Sequence, residues 1–380
     1  MSWYQRIGLE TSFLYDLPNF LICILVVFIV SSSVKLPRNY MLLLLAHCFV
    51  PFILNDVLFP TSYMPDQFKY IASVIDIRSG NSVTESSSNV ANASWMLAFI
   101  PLPFVETTQS LGFFNKLIFI LMFAFLYKKG GVNRFSAYFL LLYPSIVLYT
   151  GLSLRDTLVF CSMMLSAYFA IKRNFLLMTL FIAPLYFIKF QNFFLMLPLF
   201  AFALFNLTKK GLSVRKALVI LVIVIIVMLM SFPIAAPLIN SSRLAMYRED
   251  GGVNAEGIPL ITNVGDFIYL GITSGLYFFA KPFPWEANSP LQLIQVFENL
   301  IIMFIVVKLT VQAWRKSVRD LMFWLVLFLV SLSIYGLVVF NYGTAARYRF
   351  PFIALYVVYV AYTCNITHIF NRKKKLNPSC

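Results

Sequence analysis

Long apolar runs separated by short polar joints dominate the chain. Runs near 20 residues are about what a helix needs to cross a bilayer. The pattern places spans at 18–34, 39–59, 111–127, 135–150, 157–171, 175–188, 191–207, 217–239, 293–313, 321–340 and 350–368. In lipid, backbone polar groups must be paired within the segment, so such runs read as helices. The pattern therefore predicts an all-α polytopic membrane protein: one integral membrane domain over 1–380, about 11 transmembrane helices and two long external loops, 60–110 and 240–292. The stretch 175–207 is read as two spans meeting at Lys189, Gln191 and Asn192; a tilted helix plus a re-entrant piece is the alternative, and would invert every later joint.

Composition agrees. The chain is 60% hydrophobic and 12% charged, with mean hydropathy +0.82, which excludes an ordinary soluble domain. The net charge of +15 sits in alternate joints: "KLPR" (35–38), "KKGGVNR" (128–134), "KRN" (172–174), "TKKGLSVRK" (208–216), "WRKSVR" (314–319) and "NRKKK" (371–375). Basic joints lie on the cytoplasmic side, so the N-terminus is placed outside and the C-terminus inside. The same rule accounts for the charge without nucleic acid as a partner. The five cysteines show no paired spacing, and His47 and His368 lie far apart, so no metal site or cofactor is expected. No basic region with a small-residue cleavage site precedes the first span, so no cleavable leader is expected.

The sorting rule gives no reason for basic residues outside, yet Arg155, Lys189, Arg347 and Arg349 stand at external span junctions, and Arg243, Arg248 and Lys281 in the second long loop. In "NYGTAARYRFPF" (341–352), Pro351 fits the first turn of a helix, and the residue before a proline favours extended backbone. If Arg347 to Arg349 are extended, both guanidiniums point to one spot and Tyr348 points away. Paired forks beside a helix N-terminus suit phosphate or pyrophosphate. "GLSLRDTLVF" (151–160) puts Arg155 and Asp156 in a similar setting, where a cap with a local salt bridge is the structural alternative. Lys189, Gln191 and Asn192 can bind sugar hydroxyls or simply form a polar turn. In "KPFPWEANSPLQLIQVFENL" (281–300), Trp285 can stack on a sugar or sit in an interfacial belt, and Glu286 can orient or deprotonate a hydroxyl. Glu298 should need a partner, most naturally an arginine.

In the first long loop, Phe68, Ile71, Ala72 and Ile75 recur at helical spacing, predicting an amphipathic helix on the membrane surface. Asp66 near its start is either an N-cap or a catalytic carboxylate. "NSVTESSSNVANAS" (81–94) reads as a mobile loop, and 240–265 as a lid or a solvated connection.

These motifs, in this order, resemble bacterial O-antigen polymerases of the Wzy type and related exopolysaccharide polymerases. The likeness covers roughly 135–210 and 275–355, with a weaker match at "PDQFKYI". Lys189 and Lys281 depart from it, standing where an arginine is often expected; a lysine keeps the charge but not the fork. The resemblance implies a GT-C-like fold and a metal-independent glycosyltransferase at the periplasmic face of the inner membrane. It would move a growing glycan from undecaprenyl pyrophosphate to a new lipid-linked repeat unit. The expected partners are that lipid-linked oligosaccharide, membrane lipid and a chain-length regulator protein. On this reading Arg347, Arg349 and Arg155 hold the pyrophosphates, Glu286 or Asp156 is the general base, and Tyr348 and Trp285 shape the sugar channel.

The rivals are a flippase for lipid-linked sugars, a single-sugar GT-C transferase, an O-antigen ligase and a membrane scaffold. No internal repeat supports a transporter. Asn55–Asp56 and an isolated Asp66 are a poor substitute for the paired acidic motif of single-sugar transferases. A scaffold leaves the external cations unexplained, and the ligase is not separated.

Overall fold

The computed structural model describes residues 13–55, 57–60, 63–83, 85, 87–207, 214–249 and 258–367. His368, the basic tail, Asp56, Asp250 and most of the 208–216 joint lie outside these residues. The described chain is all helical: α1 (Phe13–Val34), α2 (Arg38–Leu54), α3 (Asp66–Arg78), α4 (Ser88–Ala98), α5 (Ser110–Lys128), α6 (Arg134–Leu142), α7 (Pro144–Tyr149), α8 (Asp156–Ile171), α9 (Phe175–Ile188), α10 (Phe190–Met196), α11 (Pro198–Leu207), α12 (Val214–Glu249), α13 (Val264–Ala280), α14 (Pro290–Lys316), α15 (Val318–Val338) and α16 (Tyr342–Thr363).

Polar residues at the joints start these helices. Asn133, Asn174, Asn263, Ser289 and Ser317 each accept a bond from the backbone N–H three residues on, satisfying a donor the helix cannot. Gly80 and Gly130, both at positive φ, turn the chain after α3 and α5.

The bundle has an apolar core with polar and charged side chains buried in it, and apolar stripes on its outer surface. Leu21, Leu25, Phe28 and Ile29 of α1, Ile268, Ile272 and Leu276 of α13, and Ile294, Phe297, Ile301 and Phe304 of α14 form exposed stripes at helical spacing. Asp16, Asn19, His47, Asn115, Lys116, Asp156, Lys189, Arg347 and Arg349 are buried. That distribution suits lipid as the solvent. Among the described residues four helices, α1, α5, α14 and α15, are long and apolar enough to cross a membrane, and shorter apolar helices accompany them. Near the centre lies α16, buried on every side from Ala345 to Ala361 except at Tyr348, and packed against α15, α14, α6, α8 and α7.

Several expectations change. Segment 60–110 carries two helices, and part of the stretch read as a mobile loop forms α4. The apolar face of α3 is covered by protein rather than lying on the membrane: Phe68, Tyr70, Ile71 and Val74 are buried. Arg78 ties it down, donating to the carbonyls of Ala98, Ile100 and Leu102 at 3.2, 2.6 and 2.7 Å, with its guanidinium 4.8 Å from the Phe114 ring centroid. Most of the described residues of 240–292 are helical. Helix α12 reaches Glu249, and α13 packs closely on α15, where Gly336 meets the backbone of Ser274 and Gly275. The expected span 135–150 breaks at Tyr143, because Pro144 cannot donate to the preceding turn.

Candidate functional site

Helix α16 begins earlier than its proline suggests. Asn341 accepts from the backbone N–H of Gly343 at 2.8 Å and of Thr344 at 3.4 Å, which nucleates a helix that runs on through Pro351. Phe350 is therefore helical, not extended. Two residues on a helix are about 200° apart, so Arg347 and Arg349 point to opposite sides and not to one spot.

Arg347 joins two carboxylates from different helices. Its Nε donates to Asp156 Oδ2 at 2.6 Å and its Nη1 to Asp66 Oδ2 at 2.9 Å. Asp66 is the first residue of α3, not its cap, which is Pro65; it also pairs with Lys69 at 3.5 Å. Burial pushes the Asp66 carboxyl up, but Arg347 and Lys69 outweigh it and hold the group below its ordinary value. Arg155, just before α8, acts electrostatically on Asp66 and Lys189. Its Nε and Nη1 are buried and have no hydrogen-bond partner. Lys189, at the break between α9 and α10, is buried with its ammonium 3.4 Å from the centroid of the Tyr348 ring and 5.8 Å from that of Tyr335. Tyr348 thus lies within the cluster rather than pointing away. Asn192 accepts from the Tyr335 hydroxyl and donates to Met163 Sδ at 3.1 Å. Gln191 is exposed and takes no part.

Three buried or half-buried cations, Arg155, Lys189 and Arg347, therefore surround two carboxylates, both paired to Arg347. Among the described residues no carboxylate forms a salt bridge with Arg155 or Lys189. Uncompensated charge at such depth is costly, and an entering anion would relieve it.

The loop that carries Arg155 is held by side chains the sequence reading passed over. Asn115 donates to the carbonyls of Leu152 and Leu154 at 2.6 and 2.7 Å. Ser153 donates through its backbone to Gln67 at 3.1 Å and through its hydroxyl to Thr108 O at 2.6 Å. Lys116 donates to Val147 O and Thr150 Oγ1, both at 2.9 Å, and lies 3.2 Å from His47 Nδ1. His47 Nε2 is 2.8 Å from Leu141 O, so the tautomer that donates there leaves Nδ1 to accept from Lys116. The signal was present: Lys116 is a lone charge inside the run 111–127.

The other candidates lie elsewhere. Arg349 is occupied: Nη1 donates to the carbonyls of Phe278, Phe279 and Lys281 at 3.0, 3.0 and 2.8 Å, and Nη2 to Asn299 Oδ1. It clamps the C-terminal end of α13, where free carbonyls favour a cation. Arg243 lies within α12 and donates to Leu337 O and Pro259 O, so it is no loop residue over a site. Arg248 is exposed. Lys281 pairs with Glu286 at 3.0 Å, and Glu286 also accepts from the Phe283 N–H at 3.0 Å. Burial raises the Glu286 carboxyl, but those partners hold it below its ordinary value. Trp285 is exposed and stacks on Phe283 at 5.0 Å. Glu298 meets no arginine by hydrogen bond; it accepts from Ser145 N at 3.1 Å and from Ser145 Oγ at 2.5 Å.

Beside the charged cluster lies a cavity of about 410 Å³, lined by the end of α2, the α6–α7 junction and the first turns of α14 and α16. Leu54, Phe59, Leu291 and Ile294 form apolar wall, and Ser145, Gln295 and Glu298 polar wall. The cavity volume is within the usual range for ligand pockets. Ala346, the neighbour of Arg347, also lines it.

Compared with known proteins, the chain matches no family model, no curated protein and no solved structure.

Proposed function

We propose that this protein is a membrane glycosyltransferase that polymerises lipid-linked oligosaccharide repeat units. It transfers a growing glycan from undecaprenyl pyrophosphate to a new unit, with the N-terminus and the site on the periplasmic face of the bacterial inner membrane and the C-terminus in the cytoplasm. The eleven-span, GT-C-like architecture belongs to the same reading. The observation that carries it is the excess of positive charge at half-buried Arg155 and buried Lys189 and Arg347, with two buried guanidinium nitrogens of Arg155 unpartnered.

A pyrophosphate leaving group gains charge as the anomeric C–O bond breaks. Cations fixed in place before the reaction, in a site shielded from water, are worth most against charge that develops there. In this reading Arg155 and Lys189 meet the pyrophosphate directly. Arg347 is held by Asp66 and Asp156 and sets the shape of the site. Arg349 supports the fold at the end of α13 instead of touching phosphate, and Asp156, already paired to Arg347, is not a free base.

The test is a polysaccharide gel from a strain lacking the gene. A core bearing a single repeat unit, with the ladder restored by the wild-type gene, supports polymerisation. Loss of all repeat units from the core would point to export or ligation and overturn it.

A further inference from the structure

Polymerisation needs a group to take the proton from the attacking sugar hydroxyl, and the carboxylates expected for it are committed. Asp156 is paired to Arg347, and Glu286 to Lys281. Glu298 differs from both. It lines the cavity and is half-buried, and no cation stands within salt-bridge distance of it among the described residues. The charged group facing it is Arg349, whose donors are taken by carbonyls and Asn299; the other titratable groups facing it are Tyr143 and Tyr149. Both bonds from Ser145 fall on Oε1 and orient the carboxylate. Tyr149 lines the cavity beside Glu298 and is close enough to Arg347 and Asp156 to feel their charges, and Ala346, next to Arg347 in the chain, lines the cavity too, so the cavity adjoins the cation cluster.

We propose that Glu298 is the proton acceptor for the acceptor hydroxyl, and that the cavity holds the end of the acceptor glycan, its rings against the aromatic and apolar wall. This rests on the polymerase reading. The hydroxyl oxygen bonds to the anomeric carbon of the donor as its proton passes to the Glu298 carboxylate. The bond from that carbon to the pyrophosphate oxygen breaks, and the electron pair leaves with lipid pyrophosphate toward Arg155 and Lys189. Glu298 then returns its proton to water. No oxidant, reductant or further reactant is needed.

The test uses membrane vesicles holding the full-length protein, supplied with radiolabelled lipid-linked repeat units extracted from the deletion strain. Glu298→Gln keeps an oxygen to accept from Ser145 but cannot take a proton; elongation should slow by on the order of 100-fold or more. Glu298→Ala should be similarly slow, and added formate should raise its rate, which a purely structural role would not allow. Variant amounts in the membrane are matched to wild type before rates are compared. Elongation by Glu298→Gln within a few-fold of wild type, or no response of Glu298→Ala to formate, overturns the assignment while leaving the polymerase reading in place. Wild-type vesicles that make no polymer overturn both.

Discussion

Arg347 and Asp156 stand 191 positions apart in the chain and 2.6 Å apart in the fold. Their side chains are only 9% and 6% exposed, so neither charge is repaid by water. The pair joins α16 to α8, and Asp66 extends it to α3. Breaking such a pair from one side leaves a charge stranded.

Arg347→Ala should therefore cost about 3–5 kcal/mol of stability. Arg347→Ala combined with Asp156→Ala should cost less than the sum of the two single changes. Thermal unfolding of the detergent-solubilised protein measures both. Strict additivity would mean the two side chains do not act as a unit.

Arg155→Ala should behave in the opposite way. Two of its buried nitrogens have no partner to lose, so unfolding should shift little while chain elongation is abolished. Arg155→Lys keeps the charge without the fork and should recover part of the activity. A large fall in thermal stability for Arg155→Ala would mean that the guanidinium is structural.

Arg349→Lys should destabilise although it preserves charge. One ammonium cannot reproduce the set of bonds from two guanidinium nitrogens to three carbonyls and Asn299. A loss of about 1–3 kcal/mol follows from carbonyls left unsatisfied. Wild-type stability with lost activity would instead place Arg349 at the substrate.

Gly336→Ala tests the α13–α15 contact. A Cβ there would fall 2.3 Å from the backbone oxygen of Ser274, and backbone cannot swing aside as a side chain can. The expected cost is about 1–3 kcal/mol, read as a lower unfolding temperature.

Acid should weaken the protein through Asp66 and Glu286. Arg347 and Lys69 hold the Asp66 carboxyl below its ordinary value, and the Phe283 N–H together with Lys281 does the same for Glu286. A lowered folded value means the stabilisation is fully present above the ordinary carboxylate range, about pH 4, and fades as the pH falls through the folded value. Unfolding temperature followed from pH 7 to pH 3 should drop at the acid end, and Asp66→Asn should flatten part of that drop. An acid slope unchanged in Asp66→Asn would exclude this carboxyl as a source.

Much of the fold was legible, because lipid constrains sequence strongly: an uninterrupted apolar run has little choice but a helix. The helix 66–78 was visible from Phe68, Ile71, Ala72 and Ile75, but periodicity marks a covered face without naming what covers it. At Pro351 a local rule was outweighed by a better start signal at Asn341, nine residues before the expected helix start at 350. Lys116 was visible as a charge in the wrong place, and Glu298 as a carboxylate in need of a partner, yet the identity of the partners lay far along the chain.

The sequence by itself determined the helical class, the apolar surface and the residue types available for binding an anion, since these follow from composition and local spacing. Tertiary structure alone decided which cations are spent and which are free. Arg349 and Arg155 look alike in the sequence, but one meets the open carbonyls at the end of α13 and the other keeps unpartnered nitrogens in a buried cluster. That difference depends on which backbone and carboxylate groups distant segments bring within about 3 Å, and no local pattern encodes it.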